Sequence, residues 1–118
     1  MPVLERALRV TNSPLRIHAV QKAEDGIYER GVLNVLNIDN IDQARFAYGK
    51  VDGMCGRAAY EYIAKSVELA LQKKVSAVAT TPINKESLKA GGVNFIGHTE
   101  IFASLTNTKD PLTMFQVR

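Results

Sequence analysis

Two short polar stretches hold the residues best suited to chemistry. Thr80-Thr81-Pro82-Ile83-Asn84-Lys85-Glu86 offers hydroxyls, a carboxamide and an ammonium, groups that suit an anionic or polyhydroxylated ligand. Gly97-His98-Thr99-Glu100 sets an imidazole and a hydroxyl at the start of a predicted helix. Free backbone N–H groups at such a start favour negative charge, and His suits both proton transfer and polar binding. Each residue also has a plain structural role. His98 can bond to neighbouring backbone, Thr99 can cap the helix, Asn84 can close a turn and Lys85 can be a solvated charge. On spacing alone the plain roles outweigh the functional ones for His98, Thr99 and Lys85.

Other reactive residue types carry less. His18 alternates with apolar residues along a strand and reads as a solvent-facing structural histidine. Cys55 stands beside Gly56 at a helix start, where a thiolate is favoured, but no base is visible nearby. A small, partly covered residue is the better reading. Tyr60 and Tyr62 sit at helical spacing and read as packing residues. Two histidines 80 positions apart make no metal site by themselves. Neither standard Gly-rich phosphate loop is present, and no Ser/His/Asp pattern stands out.

The elements that must position these residues follow from periodicity. A short helix is predicted over Pro2–Val10, with Leu4, Ala7 and Leu8 on one side. Residues 15–20 alternate as a half-buried strand, with Leu15, Ile17 and Ala19 on one face. A second strand is predicted over residues 32–38, then a polar loop to Tyr48. The strongest helix spans residues 53–73, with an Ala59, Ile63, Val67 and Ala70 stripe flanked by Tyr62, Ser66 and Leu69. Residues 75–79 are a continuous apolar run, the pattern of a strand covered on both faces. Residues 85–90 suit two helical turns stopped by Gly91-Gly92. A helix through Leu105 follows, with Thr99 expected as its N-cap, and residues 112–117 read as a final strand. Alternating helices and strands imply an α/β fold with a largely parallel sheet. Ligands then bind beyond the carboxyl ends of strands, which is where residues 80–86 fall.

The 118 residues suffice for one small domain. A hydrophobic fraction of 46% and a charged fraction of 23% are those of an ordinary globular protein and argue against disorder for most of the chain. The net charge of +3 is spread out rather than clustered, which argues against a nucleic-acid groove. One cysteine permits no internal disulfide. Charges interrupt the first ten residues, so no signal peptide is read there, and no apolar run reaches membrane-spanning length. The expectation is a cytoplasmic protein with no nucleic acid or membrane partner.

Three stretches together resemble the 4-hydroxythreonine-4-phosphate dehydrogenase family. They are Gly49-Lys50-Val51 with Gly56-Arg57-Ala58-Ala59-Tyr60-Glu61-Tyr62-Ile63, then residues 80–86, then Gly97-His98-Thr99-Glu100. The resemblance covers nearly the whole chain, more weakly before Gly49. It implies an isocitrate/isopropylmalate dehydrogenase-like fold, a partial three-layer α/β/α arrangement with a mostly parallel sheet, and a homodimer. It implies oxidation of a secondary alcohol on a small phosphorylated hydroxy acid by NAD or NADP, with a divalent metal (Zn, Mg or Co) as Lewis acid. His98 and Thr99 match the family's substrate-contacting His-Thr pair. Asn84 and Lys85 match a loop near the cleft.

The departures shape the expectation further. Family members are longer, with an opening strand and Gly-Asp-Pro-type loop before the region matched here. Their metal histidines come after it, and neither His18 nor His98 corresponds to them. Residues 1–118 therefore read as a single incomplete piece of a two-domain dehydrogenase, inactive alone. Thr81 and Asp110-Pro111-Leu112-Thr113-Met114-Phe115 differ from the best-known pyridoxine-biosynthetic members. They point to a relative acting on threonate or erythronate 4-phosphate. The alternative is a non-catalytic binding or dimerisation module retained from such an enzyme.

Overall fold

The computed structural model describes residues Met1–Val117 and divides into two compact units, Met1–Asp39 and Asn40–Arg118.

In the first unit, α1 (Pro2–Val10) starts with Pro at its first turn, where the missing N–H costs nothing. Strands β1 (Arg16–Val20) and β2 (Val32–Leu36) pair in parallel, Arg16 opposite Val32 and Val20 opposite Leu36. The parallel sheet agrees with the expected fold class. The connection between the strands contains a 3-10 turn, Ala23–Asp25. It is pinned by Asn34, whose carboxamide accepts from the Ile27 N–H and donates to the Ile27 carbonyl, both at 2.9 Å. The alternation expected for β1 is only partly met. Val20 is its buried residue and Ala19 is exposed. His18 is half-buried, its Nε2 3.3 Å from the Asp25 carbonyl, rather than solvent-facing.

The second unit is helical. Its α2 (Gly53–Leu71) begins at Asp52, whose Oδ1 accepts from the N–H groups of Met54 and Cys55. Helix α3 (Lys85–Ala90) begins at Asn84, which accepts from Ser87 N at 2.8 Å. Helix α4 (His98–Leu105) follows. The core gathers Ile63 and Val67 of α2, Leu88 of α3, Val93, and Ile101 of α4. Leu88 and Ile101 are fully buried. Tyr60 stacks on Phe95 at 6.0 Å along its margin, so it packs as expected.

Helices α2 and α3 approach almost backbone to backbone. A Cβ at Gly56 would collide with the Ser87 carbonyl, and one at Gly53 would come within 2.5 Å of the Ala90 carbonyl. Ser87 adds a hydrogen bond from the Asp52 N–H to its Oγ at 3.2 Å.

Two expected strands are not formed. Residues 75–79 are irregular, with Val75 and Val78 half-buried and the rest exposed. Residues 112–117 form no regular element, with Leu112, Met114, Phe115 and Val117 between 84 and 90% exposed. A strand exists only in a ladder, and among the described residues β1 and β2 pair with each other alone.

Candidate functional site

The second unit holds a cavity of about 450 Å³, a volume ordinary for small-molecule sites. Four pieces of chain build its walls. Helix α2 presents Cys55, Ala59, Tyr62 and Ser66, positions that recur at helical spacing along one face. The loop of residues 46–50 forms a second wall. Residues 78–84 form a third, with Ser87 behind them. His98, the first residue of α4, completes it.

The structure thus brings together two of the four residues singled out from the sequence, Asn84 and His98. Asn84 uses its Oδ1 to cap α3, which leaves its NH2 available to donate. His98 lies beside Phe102, ring centroids 6.3 Å apart. Its Nε2 is buried and has no hydrogen-bond partner among the described residues. A buried polar atom without a partner costs about 1–3 kcal/mol, so this nitrogen calls for a group that the described residues do not supply. Lys85 and Thr99 are exposed and do not line the cavity.

Thr99 is also not the N-cap. Gly97 holds that position and Thr99 is the second residue of the helix. The reason is local. The Glu100 carboxylate, three residues past the cap, accepts from the Ile96 N–H and closes the first turn around Gly97.

Sequence reasoning missed the wall made by residues 46–50 and the lining role of α2. The signal was available: Cys55, Tyr62 and Ser66 are polar or small residues flanking the apolar stripe. The segment leading into residues 46–50 is tied to α2 at several points. Asn40 donates to Glu61 Oε2 at 2.6 Å and accepts from the Tyr62 hydroxyl at 2.8 Å. The Asp42 N–H points at Met54 Sδ at 3.3 Å, and Phe46 packs edge-on against Tyr48 at 4.8 Å.

The electrostatics are one-sided. No Asp or Glu lines the cavity. Burial, and then the Asp52 carboxylate, push the Cys55 thiol above its ordinary value. The helix-start stabilisation expected for a thiolate is therefore overridden, and Cys55 is a neutral wall residue. Burial likewise raises the Tyr62 hydroxyl, with smaller contributions from Cys55 and Glu61, which keeps it a donor to Asn40.

The donor set does not fit a divalent metal. Catalytic sites of that kind use about three protein ligands. Among the described residues no group of three His, Cys, Asp or Glu is placed to hold an ion. No helix among them is long and apolar enough to cross a membrane.

Comparison with known proteins fixes the family. Residues 1–118 match the family described as Pyridoxal phosphate biosynthetic protein PdxA. The chain belongs to this family. Among PdxA relatives, a Fusobacterium nucleatum protein provisionally named D-threonate 4-phosphate dehydrogenase is 57% identical over 115 residues, which is 98% of this chain and 35% of that protein. Two solved 4-hydroxythreonine-4-phosphate dehydrogenases share the fold. The Burkholderia phymatum structure superposes with a TM-score of 0.84 at 36% identity, over 91% of this chain and 32% of that one. The Klebsiella pneumoniae structure gives 0.85 at 31% identity, over 91% and 33%. The chain thus spans about a third of the length of the PdxA relatives it matches.

Proposed function

We propose that this chain forms one wall of the substrate site of an NAD- or NADP-dependent, metal-assisted dehydrogenase acting on a four-carbon sugar-acid phosphate, D-threonate 4-phosphate foremost. The carrying observation is the cavity itself: the unpartnered His98 Nε2 and the Asn84 amide share a space without carboxylates. The higher identity to a relative named for threonate 4-phosphate than to those named for 4-hydroxythreonine 4-phosphate supports the choice of substrate.

In the proposed reaction the secondary alcohol gives its C–H hydride to the nicotinamide and its O–H proton to a base. The β-keto acid so formed then loses carbon dioxide. The part of this chain is binding. Asn84 donates to a ligand oxygen, the imidazole of His98 gains the partner it lacks, and the hydroxyls of Thr80 and Thr81 hydrogen-bond along the polyol. Lys85 and Thr99 stand at the margin and contribute charge or contacts only when the site is complete. The metal ligands and most nucleotide contacts lie in the two-thirds of the relatives that this chain does not span, and the proposed enzyme is a cytoplasmic homodimer.

The test is steady-state turnover of D-threonate 4-phosphate by a full-length enzyme carrying this segment, supplied with NAD or NADP and a divalent metal. His98→Ala should lower kcat/KM by about 30-fold or more, a loss of about 2 kcal/mol. A change within about threefold, about 0.7 kcal/mol, would remove His98 from the site. Binding without turnover under any metal would favour the non-catalytic module instead.

A further inference from the structure

Five titratable side chains line the cavity: Tyr48, Lys50, Cys55, Tyr62 and His98. Cys55 and Tyr62 are held neutral by burial. No Asp, Glu or Arg is among the lining residues, and Lys50 is the one lysine there. It makes no hydrogen bond or ion pair with the described residues, so its charge is not cancelled locally. It follows Gly49, whose φ of +74° belongs to the left-handed region that glycine adopts without strain. Lys50 is exposed and lines the cavity at its rim, on the stretch of residues 46–50 that forms one wall.

We propose that Lys50, and not Lys85, pairs with the anionic groups of the bound ligand and makes the cavity prefer a hydroxy-acid phosphate to its α-amino analogue. This inference rests on the proposed substrate site. D-threonate 4-phosphate carries a carboxylate and a phosphate of roughly −1.5 to −2. Replacing its α-hydroxyl by an α-ammonium, as in 4-hydroxythreonine 4-phosphate, adds a positive charge. That charge meets the Lys50 ammonium in a space where no carboxylate can receive it. Selectivity thus comes from an unpaired like charge as well as from an attraction. Lys85, exposed like Lys50, does not line the cavity.

The experiment measures binding of D-threonate 4-phosphate and of 4-hydroxythreonine 4-phosphate to the chain by calorimetry. The ring signals of His98 serve as the reporter of cavity occupancy. Lys50→Met should weaken D-threonate 4-phosphate by about tenfold or more, as expected for loss of a hydrogen bond to a charged group. It should also bring the affinities of the two ligands to within about twofold of each other. Lys50→Arg should keep most of the preference, and Lys85→Met should change either affinity by less than about twofold. Equal affinities in wild type, an unchanged preference in Lys50→Met, or loss in Lys85→Met alone would overturn the assignment. A wild-type chain in which neither ligand moves the His98 signals would overturn the substrate site and this inference together. Unchanged selectivity with a shifted His98 would overturn only the role of Lys50.

Discussion

Gly56 of α2 lies against the carbonyl of Ser87 in α3 with no room for a methyl group. The contact lets the two helices meet along their backbones, and both Cys55 and Ser87 line the cavity. Both colliding atoms belong to backbone, so neither can rotate aside. Gly56→Ala should therefore cost about 1–3 kcal/mol or more, the usual penalty for overpacking. In thermal unfolding this should appear as a fall of roughly 4–8 °C per kcal/mol. A melting temperature within about 1 °C of wild type would show that the close approach is not maintained in solution.

The thiol of Cys55 should be sluggish. Its raised pKa, from burial first and Asp52 second, lowers the thiolate fraction at neutral pH. Alkylation by iodoacetamide at pH 8 should run slower than for a free cysteine in a peptide. Asp52→Asn keeps a competent N-cap but removes the charge, and it should speed the reaction modestly. An Asp52→Asn chain that reacts no faster than wild type would show that the carboxylate does not act on the thiol. A ligand in the cavity should protect Cys55 further.

The loop bearing the cavity rim should weaken in acid. Glu61 is held below the usual carboxylate range, first by its hydrogen bond from Asn40, then by Arg57, whose Nε lies 3.2 Å away. A depressed folded-state pKa stabilises the fold above the unfolded value near 4.5, and that contribution is lost as pH falls through the lower folded value. Stability should therefore drop from about pH 5 downward, more steeply in wild type than in Glu61→Gln. Parallel melting-temperature profiles for the two proteins across that range would refute the link.

Much of the second unit was legible because its signals are local. The stripe through Ile63 and Val67 announced α2, Gly91-Gly92 announced the end of α3, and the Gly97–Glu100 stretch announced α4. What failed was non-local. Residues 75–79 have the composition of a buried strand, yet a strand is a property of a pair, and no partner ladder exists among the described residues. The same holds for residues 112–117. The cavity was half legible. Asn84 and His98 were singled out by type and position. Lys50 was not singled out because its stretch of chain has no periodicity, and it is the fold that sets residues 46–50 along the cavity. The N-cap was misplaced by two residues, at Thr99 instead of Gly97, because the reach of Glu100 to Ile96 was not considered.

A crystal structure of the protein with D-threonate 4-phosphate would test the central assignment most directly. The ligand should lie inside the cavity, with oxygens in hydrogen-bond range of the His98 imidazole and the Asn84 amide. A ligand bound elsewhere, with the cavity filled by water alone at saturating concentration, would contradict it.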